Sequence, residues 1–241
     1  MNKNLPKGRL FLIPNIIAED TSGKVISPQT LRIVPEIKHF LVENIRTARR
    51  FISSLRLGIT IEELEFEVLD KKTRPQALAE MMEPLNHGLD IGVISESGCP
   101  GIADPGSLAV TYAHKHSIEV VPVSGPSSLF LALMASGFNG QTFKFHGYLP
   151  VKPAERVKAI RELEKESAML RQTQLFIETP YRNDHLLRDL VMTCQKDTFL
   201  CVGYGLTGEQ EKIISKPIAE WKKEPFTIGK IPAVFLIYVY S

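Results

Sequence analysis

Short apolar runs alternate along this chain with longer stretches of helical period. Arg9-Leu10-Phe11-Leu12-Ile13 reads as a strand stopped by Pro14. From Pro28 to Leu57, Leu31, Val34, Ile37, Leu41 and Ile45, then Phe51, Ile52 and Leu55, recur at helical spacing. The pattern breaks around Pro35 and the charged stretch Glu43 to Arg50, so two helices with a short strand or loop between them are expected. Glu65 to Leu69 alternates like a half-buried strand, and Pro75 to Leu85 reads as a helix with proline in its first turn. Ile91-Gly92-Val93-Ile94 is a further apolar strand, followed by a helix over Ser107 to His116 and a strand over Glu119 to Val123.

Beyond Ser124-Gly125-Pro126-Ser127-Ser128, the segment Leu129 to Ser136 is apolar all round and predicts a buried helix ending at Gly137. The α/β rhythm then resumes. Strands are expected at Phe143 to Phe145, Gln174 to Ile177, Thr198 to Val202 and Ala233 to Tyr240, with helices at Ala154 to Leu170 and Asn183 to Cys194. This order predicts two α/β domains built on substantially parallel sheets, residues 1–123 and 124–241, with a ligand cleft between them.

Composition narrows the class without deciding partners. With 44% hydrophobic and 23% charged residues and a formal net charge of +2, the chain reads as globular and is not basic enough to imply nucleic acid by charge alone. Cys99, Cys194 and Cys201 sit at unrelated spacings, which argues against a disulfide framework or a zinc site and for a reducing, cytoplasmic compartment. MNKNLPKGRL lacks an apolar segment behind its basic residues, and no apolar run has the length of a membrane span.

Function is expected in the loops beyond strand ends. SESGCPGIADPG, residues 95–106, is denser in glycine and proline than a connector needs. Gly98 and Gly101 permit close approach of backbone to a ligand, Pro100 and Pro105 stiffen the turns, and Asp104 caps the helix that follows. Ser124 to Ser128, Glu178-Thr179-Pro180-Tyr181-Arg182 and Gly203 to Gly208 are three more special turns at strand ends. No P-loop, G-x-S-x-G or H-E-x-x-H is present, no metal site is expected, and Cys99 has no base beside it in sequence. Chemistry here calls for a reactive cosubstrate such as S-adenosylmethionine, whose sulfonium already activates the methyl group.

At these turns the chain resembles the tetrapyrrole methylase superfamily, and within it the small-subunit rRNA cytidine 2′-O-ribose methyltransferases. SESGCPGIADPG is similar to the family's S-D-A-G-T-P-x-I-S-D-P-G, VPVSGPSSLFLALMASG to its V-P-x-P-G-P-S-A-x-x-x-A-L-x-x-S-G, FKFHGYLPVKPAER to its F-x-F-x-G-F-L-P-x-K-x-x-x-R, and FIETPYR to its F-Y-E-S-P-H-R. The resemblance implies S-adenosylmethionine bound between two α/β domains of a homodimer. It assigns the donor to Ser95, Glu96, Ser97, Gly98, Cys99, Ile102, Ala103, Ser127, Thr179, Leu206, Pro232 and Ala233, and the acceptor to Asn15, Glu43, Arg46 and Arg182.

Three departures bear on the acceptor. T-P-I-G-N-L-x-D becomes Pro14 to Asp20 without glycine, E-D-T-R becomes Glu43-Asn44-Ile45-Arg46, and R-E-L-T-K becomes Tyr204-Gly205-Leu206-Thr207-Gly208, without its charges. An rRNA ribose is the leading acceptor, with Arg46, Arg49, Arg50 and Arg56 as one basic region and Lys152, Arg156, Lys158 and Arg161 as another. A corrin, porphyrin or other small-molecule acceptor, or a protein that binds the donor without transferring, are the alternatives. The sequence names no catalytic base.

Overall fold

The computed structural model describes residues 6–240, so the first five residues of the amino-terminal stretch lie outside the described residues. Two compact units divide between Ser127 and Ser128. Among the described residues, no helix is long and apolar enough to cross a membrane.

In the N-terminal unit the elements run β1 (Leu10–Ile13), α1 (Ser22–Val25), α2 (Pro28–Ile33), β2 (His39–Val42), α3 (Ile45–Ser54), β3 (Glu65–Val68), α4 (Pro75–Met81), β4 (Ile91–Ile94), α5 (Gly106–Lys115) and β5 (Val120–Pro122). The five strands form one parallel sheet in the order β3-β2-β4-β1-β5. One face packs on α3 through Phe11, Phe40, Ile94 and Phe51, the other on α4 and α5 through Leu41, Val93, Leu78 and Ala109.

The connection out of β2 runs to β3 at one edge, and that out of β4 runs across the opposite face to β5 at the other edge. Adjacent strands whose connections diverge leave a crevice beyond their carboxyl ends. Val42 pairs with Ile94, so Glu43 and Ser95 are the residues that step out into that crevice.

Three expectations change here. The short strand expected between the two early helices is β2, but most of the charged stretch, expected in that break, falls inside α3, where Asn44 caps the helix by accepting from the Arg46 and Thr47 N–H groups. The helix begun at Pro75 ends at Met81 and gives way to a 3₁₀ turn over Glu83–His87, because Pro84 cannot continue an α-helical ladder. β3 is an edge strand whose Glu65, Glu67 and Val68 are exposed rather than half-buried.

The C-terminal unit runs α6 (Ser128–Ser136), β6 (Phe143–Tyr148), α7 (Pro153–Leu170), β7 (Thr173–Glu178), α8 (Asn183–Thr193), β8 (Phe199–Tyr204), β9 (Lys212–Pro217), α9 (Ile218–Trp221) and β10 (Ala233–Tyr238). Its sheet has the order β6-β7-β10-β8-β9, and only β6 and β7 are parallel, which corrects the expectation of a parallel sheet. β10 lies antiparallel between β7 and β8, so those two strands point the same way and end beside the start of β10.

Helices α7 and α8 cover one face through Ile160, Leu163, Leu186 and Leu190. Buried Arg156 fastens them together, donating to Asp189 and to the Val151 carbonyl. Helix α6 covers the other face through Ala132 and Leu133, yet Phe130 is 48% and Met134 78% exposed. The apolar sequence of α6 therefore exceeds what one sheet face buries, and the expectation of a buried helix does not hold.

Candidate functional site

Each unit gathers its special turns at one end of its sheet. In the N-terminal unit the turn after β4 is held open by its own hydrogen bonds. The Ser95 hydroxyl donates to the Ser97 and Gly98 carbonyls at 3.1 and 3.3 Å, and Asp104 Oδ1 accepts from Gly101 N–H and Gly106 N–H at 2.8 and 2.7 Å. Pro105 already has helical angles, φ −73° and ψ −6°, so Asp104 is the residue that caps α5. Burial raises its carboxyl above the ordinary range, opposed by those two N–H groups.

Gly98 takes φ +71° and Ala103 φ +65°, both left-handed. In alanine that conformation costs about 1 kcal/mol or more, and strain of this kind clusters where backbone is shaped for a ligand. Ile102, 41% exposed, and Ala103 form the outer part of the turn beside exposed Glu96 and Ser97. Cys99 points its thiol at the Pro126 carbonyl, 3.3 Å away, tying the β4 turn to the β5 turn. Burial, then Asp104, push that thiol's pKa up, so it stays protonated and is no nucleophile.

The acceptor candidates differ in what they are free to do. Asn15 is only 2% exposed and is consumed by the loop: its Nδ2 donates to the Ser95 and Glu96 carbonyls at 3.0 and 3.1 Å, its Oδ1 accepts from Ile16 N–H, and its N–H donates to the Gly98 carbonyl. It shapes the Ser95 to Gly98 turn instead of presenting a side chain to solvent. Asn15→Ala leaves two carbonyls without their donor. It is expected to cost about 2 kcal/mol in urea unfolding and to weaken donor binding about tenfold in calorimetry, by loosening Ser95 to Gly98.

Glu43 stands half-buried at the crevice and accepts the Glu96 N–H at 3.3 Å. Burial raises its pKa most, Asp104 and Glu96 add to the rise, and the Glu96 N–H and Lys71 oppose it. Arg46 is exposed in the first turn of α3. Arg182 is committed elsewhere, donating through Nε and Nη2 to Glu178 Oε1 at 2.9 and 2.6 Å, a pair that closes the β7 turn.

In the C-terminal unit Ala233 pairs with Glu178 on one side and Tyr204 on the other, which brings Thr179, Leu206, Pro232 and Ala233 to one end of the sheet. Gly205 N–H donates to the Pro232 carbonyl at 3.2 Å. Leu206 is buried and Pro232 exposed. Asn183 Nδ2 donates to the Ile231 carbonyl at 2.6 Å, and Asp184 Oδ1 accepts from Ile228 N–H, so the start of α8 positions the approach to Pro232. Ser127 closes the N-terminal unit immediately before α6.

Sequence reasoning missed the part played by Asn183, Asp184 and Glu211. The fourth turn lost its charged residues in sequence, but Glu211 Oε2 reaches back to the N–H of Thr207, itself left-handed at φ +70°. Among the described residues, the buried side-chain polar atoms without a partner are Asp104 Oδ2, Glu178 Oε2, Asn183 Oδ1 and Thr207 Oγ1. Asp104, Glu178 and Thr207 belong to these strand-end turns, and Asn183 opens α8 directly after one of them. Orphaned polar atoms at the turns of a unit fit a polar ligand there.

The family model for tetrapyrrole (corrin/porphyrin) methylases matches residues 29–222. The chain belongs to the tetrapyrrole methylase family. Among its relatives is the ribosomal RNA small subunit methyltransferase I of Vibrio cholerae, 28% identical, with 99% of this chain and 81% of the relative aligned. The enzymes of that name from Pseudomonas aeruginosa and Thermotoga maritima are 30% and 28% identical, covering 88% and 93% of this chain and 71% and 89% of the relatives. The uroporphyrin-III C-methyl transferase of Thermus thermophilus complexed with S-adenyl homocysteine matches the fold with a TM-score of 0.58 at 14% identity, over 96% of this chain and 97% of that one. The chain is thus a methyltransferase with the tetrapyrrole methylase fold, and its donor is S-adenosylmethionine.

Proposed function

We propose that this tetrapyrrole methylase transfers a methyl group from S-adenosylmethionine to a ribose hydroxyl of small-subunit ribosomal RNA. The observation that carries the reading is the turn Ser95 to Ala103, whose left-handed residues and buried orphan Asp104 Oδ2 are shaped for a polar ligand, in a chain whose relatives carry the rRNA methyltransferase name. The donor-binding residues are Ser95 to Cys99, Ile102, Ala103 and Ser127, together with Thr179, Leu206, Pro232 and Ala233. Ser95 acts through its backbone, because its hydroxyl is turned into the loop.

When bound, S-adenosylmethionine supplies a methyl group already activated by its sulfonium. The chain has to orient the acceptor and take its proton. Glu43 is the group for that step: among the described residues it has no cation in ion-pair contact, and burial favours its protonated form, which makes it a stronger base than an exposed carboxylate. Arg46, exposed in the first turn of α3, supports an anionic acceptor. Arg182 serves the acceptor indirectly, by holding the Thr179 turn through Glu178.

The enzyme works in the cytoplasm, a reading supported by three free cysteines. It works as a homodimer, supported by the exposed apolar face of α6, where Phe130 packs edge-on against Phe143 of edge strand β6. Incubation with methyl-labelled donor, small-subunit RNA and a porphyrinoid pool tests the acceptor. Label is expected in RNA, and label confined to the small-molecule fraction would reverse the reading.

A further inference from the structure

A groove of about 780 Å³ runs along the N-terminal unit between the loop Asn15–Asp20 and α3, of a size that holds a small ligand. One end reaches Asn15, Glu96 and Ser97, which places it beside the proposed donor turn and next to the N–H that Glu43 accepts. Its floor is apolar, from Ile17, Ile26, Leu31 and Leu55, and its two walls carry opposite charge. On the α3 side stand Arg50, in a helix with three arginines and no acidic residue, and Arg56, just beyond the helix end. On the loop side stand the carboxylates of Glu19 and Asp20.

A porphyrinoid ringed by carboxylates would meet Glu19 and Asp20 unfavourably. A nucleotide presents both complements, phosphate for guanidinium and exocyclic amine for carboxylate, with an apolar base face for the floor. Among the described residues, the one ion pair across the groove, Arg50 to Glu19, is long at 3.8 Å and joins two exposed side chains, so it is worth little and opens readily. Arg56 takes φ +54° at the residue after the helix cap, where glycine is usual, and there it sets a cation at the groove's end.

We propose that this groove seats the single-stranded RNA nucleotides next to the acceptor ribose, with Arg50 and Arg56 on backbone phosphates and Glu19 and Asp20 on base amino groups. The proposal rests on RNA being the acceptor.

The test is fluorescence anisotropy of the full chain with a labelled single-stranded 12-nucleotide RNA over a salt series. Each phosphate contact on a single strand contributes about 0.7 to the slope of log affinity against log salt. Arg50→Ala with Arg56→Ala is expected to reduce that slope by about 1.4 and, from the same relation, to weaken binding about 25-fold at 0.1 M salt. Ser54→Trp, which fills the groove from α3 without changing charge, is expected to weaken RNA binding at least about tenfold. S-adenosylhomocysteine affinity should be unchanged in both variants, which shows that they fold.

If wild type binds and methylates RNA and the variants match it, the groove proposal is wrong and the methyltransferase reading stands. If wild type binds no RNA, both fall. If Ser54→Trp changes the sedimentation coefficient of the RNA-free protein, the groove holds a second copy of the chain and the proposal is overturned.

Discussion

Gly98→Val is expected to abolish binding of S-adenosylmethionine while the protein stays folded. Gly98 sits at φ +71°, where a β-branched side chain is strained by about 2 kcal/mol or more, and its added Cβ would lie 3.4 Å from the Pro126 carbonyl. That carbonyl also receives the Cys99 thiol, so neither strand-end turn can yield without moving the other. Relief comes by shifting the backbone, and the Gly98 carbonyl then loses the Asn15 N–H and the Ser95 hydroxyl that fix the turn. A cost of this order leaves most domains folded, given typical stabilities of about 5–15 kcal/mol. Calorimetry with S-adenosylhomocysteine on the folded variant should give no measurable heat of binding. Wild-type affinity would remove the Ser95 to Ala103 turn from the donor site.

The second large effect concerns Glu43. Glu43→Gln keeps an oxygen to accept the Glu96 N–H, so the turn should be undisturbed and donor affinity unchanged. Loss of a general base costs about 100- to 10,000-fold, and the fall should appear in kcat. The pH profile separates this role from a merely structural one. The Glu43 carboxyl lies above its ordinary range because burial, then Asp104 and Glu96, outweigh the Glu96 N–H and Lys71.

A base must be ionised to act, so wild-type kcat should fall as pH drops through that raised pKa, with the acidic limb above the ordinary carboxylate value. The residual activity of Glu43→Gln should lack the limb. The same shift has the opposite sign for stability. A buried carboxylate whose folded pKa is raised favours folding most below its unfolded pKa, and that contribution is lost as pH rises through the folded pKa. Glu43→Gln should therefore be no less stable than wild type in urea at neutral pH, whereas a group retained for structure alone would show a loss. Wild-type turnover in Glu43→Gln would assign the proton to another group.

The parts of this fold legible in sequence are those where local chemistry acts alone. Leu10 to Ile13 and Ile91 to Ile94 are four-residue apolar runs closed by Pro14 and by the Ser95 to Gly106 turn, and a central parallel strand requires little more. Direction in the second sheet was not legible. All six residues of Ala233 to Tyr238 are buried, a pattern that a parallel and an antiparallel central strand share, and only pairing with β7 and β8 distinguishes them. β9 escaped notice because Lys212-Ile213-Ile214-Ser215-Lys216-Pro217 alternates weakly and ends in proline, as an edge strand tolerates.

The site shows the same division. The glycine and proline turns announce themselves through residue type, whereas the work of Asn15, Asn183 and Glu211 is done by hydrogen bonds to residues 81, 48 and 4 positions away. Nothing local in the sequence marks the two distant partners, and the near one is formed only once the Thr207 turn is folded.

A structure determined with S-adenosylhomocysteine bound tests the central claim most directly. The ligand should lie against the backbone of Ser95 to Ala103, with Asp104 Oδ2 gaining a partner. Ligand bound away from the Ser95 to Ala103 turn, with Asp104 Oδ2 still unpaired, would contradict the account.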